Sequence, residues 1–175
     1  AALGRLTYPE RWCVDGAQTF LALPYRKVTE AERKGMVRGA QRFVNSAIYD
    51  RSMPGLVARI RDRKRQPAEV QVLRLGDLAI VGIPAEYFVE HGLRVKEAGY
   101  PARVEMAGFT NGMVGYVPTA AAFRRGGYET TFAPSSRLAP EAGDRMADAA
   151  IRLVKRLWRK KEKSGSGKVD KNPGA

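Results

Sequence analysis

The sequence is poor in the two residues that most often hold transition metals. Its single cysteine, Cys13, excludes an internal disulfide and every zinc motif that needs several cysteines. Its single histidine, His91, excludes a metal site built on two histidines of this chain. No apolar run approaches the ~18 residues that a membrane-spanning helix needs. What is present is an ordinary globular composition, with 44% hydrophobic and 28% charged residues, so wholesale disorder is excluded.

The start of the chain lacks two further features. The first residue is alanine, and no basic segment followed by an apolar one marks a signal peptide. Because translation starts with methionine, we expect a processed, trimmed or fragmentary chain. The length of 175 residues is otherwise that of one domain, long enough to bury a core.

Positive charge is concentrated near the C-terminus. The formal net charge is +13, and residues 151–175 hold nine lysines and arginines against two acidic residues. A second basic cluster spans residues 59–65. Such clusters are the electrostatic footprint of proteins that bind nucleic acid or anionic lipid, although a solvated helix end with a basic tail explains them too. No aromatic residue follows Trp158, which disfavours nucleic acid because single strands stack their bases on aromatic rings.

Two strand-like runs predict a β-hairpin over residues 69–83, since only Gly76 and Asp77 separate them. The second run is apolar on both faces and should be a central, buried strand. A helix over about 85–98 and a strand over 102–109 would follow as a crossover connection. The predicted fold class is therefore α/β with a mixed sheet.

Other helices are predicted to flank this sheet. A capping box at Thr29–Glu32 predicts a helix over about 30–49, an interruption at 50–54, and a short helix over 55–63. The best helical pattern spans about 139–161, with Pro140 in its first turn and basic residues at its end.

The segment 110–134 is rich in glycine, proline, threonine and tyrosine, which predicts a long functional loop with a short helix near residues 120–124. Residues 164–175 are polar and predict a disordered basic tail.

Glu86 is the first candidate for chemistry. It comes directly after the buried strand, in the predicted first turn of the next helix. In open α/β sheets ligands bind at the carboxyl ends of strands, where a carboxylate can bind a metal or act as a base. The alternative is purely electrostatic, because a glutamate in the first turn of a helix is itself stabilising by ~0.3–1 kcal/mol.

Tyr116 is the second candidate. It lies between Gly115 and Pro118, a setting that predicts a fixed but accessible side chain. A tyrosine there can donate a hydrogen bond, act as an acid or ligate a metal. The alternative is a tyrosine that packs a loop onto the sheet. For nearby Glu129 the alternative interpretations are that it caps a helix or pairs with an arginine.

Neither Cys13 nor His91 is expected to carry chemistry. His91 lies five residues after Glu86, and this spacing does not place the two side chains on one face of a helix. We interpret His91 as structural. Cys13 has no basic helix end or histidine nearby in sequence to activate it.

The order of three motifs resembles the neutral/alkaline, non-lysosomal ceramidase family. In that family a buried strand ends in a Pro-Gly-Glu-like turn, followed by a loop with Asn and Tyr-[Ile/Val]-x-Thr, and then by a Tyr-Glu pair. The corresponding segments here are Pro84–Glu86, Asn111–Thr119 and Tyr128–Glu129. Ala85 stands where the family usually has glycine.

The resemblance implies a zinc amidohydrolase that cleaves the N-acyl bond of ceramide to give a sphingoid base and a fatty acid. It assigns Glu86 and Tyr116 as zinc ligands and leaves a catalytic role open for Tyr116. It implies substrate contacts for the remaining motif residues Asn111, Gly112, Thr119 and Tyr128. Residues 1–163 would then be a portion of a ceramidase-like catalytic domain.

Two family zinc ligands are histidines of the N-terminal half of the catalytic domain, which this chain does not contain. The resemblance therefore implies a partner segment that carries both histidines, with a lipid amide as substrate. It also suggests a secreted, periplasmic or membrane-associated protein. Two alternatives stay open: a non-catalytic basic module for anionic membrane or nucleic acid, and a related hydrolase of another N-acyl or ester substrate.

Overall fold

The computed structural model describes residues 12–27, 29–33 and 46–164. Most of the helix predicted over about 30–49 and the tail from residue 165 onward lie outside the described residues. Within those ranges no helix combines the length and the apolar character needed to cross a bilayer.

A four-stranded mixed sheet forms the centre of the molecule. Its strands are β1 (Val14–Pro24), β2 (Arg65–Leu75), β3 (Leu78–Gly82) and β5 (Arg103–Ala107), and they lie in the order β1-β2-β3-β5. Neighbouring strands β1, β2 and β3 are antiparallel, whereas β3 and β5 are parallel. The predicted α/β class is thereby confirmed.

The predicted hairpin is present and longer than expected. Strands β2 and β3 are joined by Gly76 and Asp77, and Gly76 has a left-handed φ of 61° that glycine adopts at little cost. Strand β3 lies between β2 and β5, as predicted, and its Ala79 and Val81 are fully buried. The parallel pairing of β3 with β5 requires the crossover that helix α3 (Val89–Ala98) supplies.

Helices α3 and α5 (Ala142–Ser164) cover one face of the sheet. Helix α5 packs on β1, β2 and α3, while α3 also packs on β5. The core lies between the two layers and includes Val70, Val72, Val81, Met146, Val154 and Leu157. On the other face, apolar side chains of β1 and β2 remain exposed: Val14, Phe20, Leu73 and Leu75.

The predicted interruption at residues 50–54 is wrong. After α1 (Glu30–Arg33), helix α2 runs without a break over Ser46–Arg63 and contains Pro54. Met53 and Leu56 of α2 pack with Phe132 in a second, smaller core. The burial of this apolar face outweighs the local cost of a proline inside a helix.

Two other predicted helix starts are wrong. The helix expected at 139 begins at Ala142, because the Ala139 amide donates to the carbonyl of Pro24 at 3.0 Å and continues the end of β1. Pro140 therefore precedes the helix. The helix expected at 85 begins at Val89, since residues Glu86–Tyr87 form a short strand, β4.

The loop predicted over 110–134 carries three short elements. Strand β6 (Tyr116–Val117) pairs with β4, helix α4 (Ala120–Arg125) confirms the predicted short helix, and a 3₁₀ turn spans Tyr128–Thr130. These elements bring the second and third motifs of the sequence next to the first.

Candidate functional site

The two-stranded parallel sheet of β4 and β6 places Glu86 directly opposite Tyr116. Three backbone hydrogen bonds fix this corner. The Glu86 amide donates to Gly115 O at 3.1 Å, the Tyr116 amide to Ser135 O at 2.7 Å, and the Val114 amide to Pro84 O at 2.7 Å. Both candidate side chains therefore project from paired backbone rather than from a free loop. We name this unit the Glu86–Tyr116 corner.

Gly115 is the residue that permits this close backbone approach. Its φ is 95°, in the region that favours glycine, and a Cβ at this position would clash with the backbone of Ser135. The backbone just before Tyr116 can therefore pack against Ser135 only because position 115 is glycine.

The position of Glu86 in β4 corrects the prediction that it occupies the first turn of a helix. Helix α3 begins three residues later, at Val89. The purely electrostatic explanation for Glu86, a favourable interaction with a helix N-terminus, therefore loses its basis. The carboxylate is instead partly buried beside a tyrosine.

The hydroxyl of Tyr116 is held in a small hydrogen-bonded group. It lies 3.4 Å from the hydroxyl of Tyr128, and the two rings meet edge to face at 5.5 Å between centroids. Hydrogen bonds with Tyr128 and with Glu86 raise the pKa of Tyr116 above its usual range. In the absence of a cation, Tyr116 is thus a neutral phenol next to a carboxylate.

A groove of about 850 Å³ opens beside the corner and includes Glu86, Tyr116 and Glu129 in its lining. Most of its wall is apolar and comes from β3, α3, β5 and the residues that follow them: Ile83, Val89, Leu93, Met106 and Phe109. A groove with a few oxygen atoms in a largely apolar wall can accept a ligand with one polar group and a long apolar part.

None of the four predicted substrate-binding residues lines this groove. The Thr119 hydroxyl caps helix α4 by accepting from the Ala122 amide at 3.1 Å. Asn111 donates to Gln71 Oε1 at 3.4 Å, and Gly112 is exposed beside it. Tyr128, the fourth, reaches the site through its contact with Tyr116. Substrate contacts for all four stay a prediction.

His91 is buried away from solvent. Its ring stacks on Tyr87 at 4.9 Å between centroids, and Nε2 lies 3.5 Å from Pro118 O. The ring packs against Gly143 of α5, where any Cβ would overlap it. The Tyr87 hydroxyl also reaches α5, donating to Gly143 O at 2.6 Å. These contacts join the corner to the first turn of α5.

The described part of the chain contains no group of three or more histidine, cysteine, aspartate or glutamate residues placed to hold a metal ion. Cys13 is exposed and unpaired with any other cysteine. Glu86 and Tyr116 therefore form an oxygen pair rather than a complete ligand set.

The sequence left the role of Glu129 open and did not indicate the apolar wall of the groove. Glu129 enters the groove because the 3₁₀ turn packs beside β6. One signal for the wall is present in the sequence. Val89 and Leu93 are four residues apart and face away from buried Val95, so helix α3 carries apolar residues on two faces.

The fold and the corner define an α/β protein with a carboxylate–phenol pair in an apolar groove. No protein-family model and no curated protein matches the chain. The solved structures to which the chain is similar include two that are described as ceramidases, the family whose motif order it resembles.

One of these structures is described as ceramidase complexed with C2. It is 23% identical with a TM-score of 0.48, and the match covers 54% of this chain and 15% of that one. The other is neutral ceramidase from Pseudomonas aeruginosa, 19% identical with a TM-score of 0.48, covering 82% of this chain and 29% of that one. This chain thus spans less than a third of either protein. At this level of similarity neither activity nor ligands are transferred from them.

Proposed function

We propose that this chain forms part of a zinc-dependent amidohydrolase that resembles neutral ceramidase. The complete enzyme would hydrolyse the N-acyl amide bond of ceramide-like lipids to a sphingoid base and a fatty acid. The observation that carries the proposal is the register of β4 and β6, which sets Glu86 opposite Tyr116 beside an apolar groove. The motif resemblance assigns metal ligation to the same two residues.

The donor chemistry of this pair suits a zinc ion. A carboxylate oxygen is a common zinc ligand, and the phenol of Tyr116 interacts with this carboxylate. Two donors are fewer than the three protein ligands of a catalytic zinc site. We therefore propose that a segment with two histidines, outside this chain, completes the site.

A bound zinc would polarise the amide carbonyl and lower the pKa of a coordinated water. The residues of this chain would hold the reacting groups in place. Glu86 presents an anionic oxygen from a backbone that three hydrogen bonds hold rigid. Tyr116 would present its phenol oxygen from the facing strand β6.

The apolar groove would accept an aliphatic chain of the lipid. Val89 and Leu93 of α3 and Phe109 after β5 offer exposed apolar surface directly beside the oxygen pair. An amide placed at Glu86 and Tyr116 would thus have its hydrocarbon part covered by the groove wall. Burial of apolar area would hold the substrate without further polar contacts.

The test is release of fatty acid from N-acylsphingosine by this chain assembled with its histidine-bearing segment. We expect Glu86→Gln to lower kcat/KM by ~10³-fold and Tyr116→Phe by ~10²-fold, because each removes a group aimed at the reacting centre. Glu97→Gln is the matched control, since Glu97 is exposed on α3 and lies outside the groove. Hydrolysis at the wild-type rate by the Glu86→Gln enzyme would contradict the proposal.

The same variants test the assignment of the catalytic residues separately from the assignment of the lipid substrate. If ceramide is untouched but another N-acyl or ester substrate is cleaved with the same dependence on Glu86, the catalytic assignment holds and the lipid assignment is wrong. Chelation should abolish the activity of the wild-type protein, and added zinc should restore it. Added zinc should not raise the low activity of the Glu86→Gln enzyme to the wild-type level.

A further inference from the structure

A second cavity, of about 570 Å³, lies at the other end of α5. Its walls come from the β2–β3 turn, the end of α3 and the last turns of α5. The lining residues are Asp77, Gly99, Tyr100, Pro101, Lys155, Trp158 and Arg159. We name it the basic cavity, because two cations and two aromatic rings face a single acidic residue.

The two cations of the basic cavity are available to a ligand. Lys155 and Arg159 are exposed and four residues apart on α5, so they lie on the same face of the helix. Neither has an ion-pair partner among the residues that the structure describes. Asp77 is the single acid of the lining, which leaves the cavity with a net positive charge.

A buried arginine adds positive charge behind the wall. Arg74 is 1% exposed, and its guanidinium lies 4.0 Å from the centroid of the Trp158 ring. Its Nε donates to Gly76 O at 3.0 Å and its Nη1 to Leu157 O at 2.7 Å, while Nη2 has no partner within the described part of the chain. Among the residues that the structure describes, no carboxylate forms an ion pair with this cation. It holds the Trp158 ring in place and makes the cavity more electropositive.

The aromatic residues favour a membrane surface over nucleic acid. Tyr100 is 82% exposed at the cavity edge, and Trp158 is partly buried. Tyrosine and tryptophan prefer the interface between lipid and water, where one end of the ring is apolar and the other polar. Stacking of successive bases needs several free rings, whereas Arg74 already occupies one face of Trp158.

We propose that the basic cavity binds the phosphate of an anionic lipid headgroup and so holds this end of the molecule on an anionic bilayer. Lys155 and Arg159 contact the phosphate, and Tyr100 enters the headgroup layer. The basic residues that follow Arg159 in the sequence, Lys160, Lys161 and Lys163, add to the attraction.

The experiment is sedimentation of the 175-residue chain with vesicles of phosphatidylcholine containing about 30% phosphatidylserine, at ~50 and ~300 mM salt. We expect binding at low salt that falls steeply at high salt and is absent with pure phosphatidylcholine. The double variant Lys155→Glu/Arg159→Glu should lower the partition coefficient by at least ~30-fold.

A matched control is available on the same helix. Arg152 and Arg156 are also exposed and four residues apart, but they do not line the cavity. Arg152→Glu/Arg156→Glu makes the same change in net charge and should lower binding by no more than ~3-fold. Equal losses from the two double variants would show attraction by overall charge alone and would overturn the proposal. Tyr100→Ser should weaken binding several-fold with no change in thermal stability.

Two further measurements distinguish a lipid phosphate from a soluble phosphate as the ligand. Titration with inorganic phosphate and with glycerol phosphate should give no saturable binding in the range where vesicles bind. Tight binding of either soluble phosphate, without vesicle binding, would contradict the membrane assignment. Tighter binding to single-stranded DNA than to anionic vesicles, lost with Lys155→Glu/Arg159→Glu, would likewise contradict it.

Discussion

The Glu86–Tyr116 corner and the basic cavity are two regions served by the same helix but built in different ways. The first turn of α5 contacts the corner through Gly143, and Trp158, about 22 Å further along the helix, lines the cavity. The corner is made by backbone pairing of short strands and displays oxygen atoms. The basic cavity is made by a buried arginine, a tryptophan and surface cations.

In this molecule, rigidity therefore comes from the main chain at the corner and from side chains at the basic cavity. At the corner, a substitution that disturbs the backbone should be the most damaging. At the basic cavity, loss of one side-chain contact should weaken the structure, while changes of surface charge should affect binding alone.

The largest effect is expected from Gly115→Ala. The added Cβ would clash with the Ser135 backbone at a φ that disfavours alanine, so we expect a loss of about 4 kcal/mol in the free energy of unfolding. The control is Gly112→Ala, at a φ of 133° with open space around it, which should cost about 1–2 kcal/mol. Urea denaturation measures both. Equal losses would mean that the close approach to Ser135 does not hold the corner together.

The second effect concerns the side-chain contact at the basic cavity. Trp158→Leu removes the ring that lies over buried Arg74, and we expect a loss of about 2 kcal/mol. Trp12→Leu is the matched control, because Trp12 is 62% exposed, and it should change stability by no more than ~0.5 kcal/mol. If the two variants unfold at the same denaturant concentration, Arg74 and Trp158 do not form a stabilising pair.

The third effect depends on pH. Burial raises the pKa of Tyr87 above its ordinary value of 10.0, and the charge of Asp144 adds to the rise. Tyr87→Phe should cost about 1 kcal/mol at neutral pH, because the hydrogen bond to Gly143 O is lost.

The sign of the pH dependence follows from this raised pKa. As pH rises above 10, the unfolded state loses its tyrosine proton first, so the wild-type protein loses the stability that Tyr87 contributes. The stability deficit of Tyr87→Phe relative to wild type should therefore narrow between pH ~9 and ~12. A deficit that widens over this range would contradict the assignment. Tyr100→Phe, at an exposed site, should leave the free energy of unfolding unchanged.

The smallest effect is expected from the ion pair of Lys96 and Glu105. Lys96 Nζ and Glu105 Oε2 lie 2.8 Å apart, but both side chains are exposed, so solvent screens the attraction. Glu105→Gln should change the free energy of unfolding by no more than ~0.5 kcal/mol. A larger change would show that surface charge, and not backbone pairing alone, supports the region around the groove.

The sequence was informative where the signal is local. The two-residue turn and its flanking strands identified the β2–β3 hairpin, and the apolar pattern of residues 78–83 identified a central strand. The α/β class followed from these elements and the crossover. The candidates Glu86 and Tyr116 also came from sequence, and the structure sets them opposite each other.

The sequence was misleading where tertiary contacts decide the local structure. Glu86 was predicted to lie in the first turn of a helix. Its amide instead donates to the carbonyl of Gly115, about thirty residues later in the chain, so Glu86 is part of a strand. Helix α2 passes through Pro54 because Met53 and Leu56 are buried against Phe132. The contact of Arg74 with Trp158 joins residues far apart in the chain, and no local pattern indicates it.

Isothermal titration with zinc, with and without the histidine-bearing segment, tests directly whether Glu86 and Tyr116 belong to a shared metal site. We expect no tight zinc binding by the 175-residue chain alone. With the segment present we expect one zinc per chain, which is lost in both Glu86→Ala and Tyr116→Phe and kept in Glu97→Gln. Tight stoichiometric binding by the isolated chain that survives Glu86→Ala combined with Tyr116→Phe would contradict the claim that these two residues form part of a shared metal site.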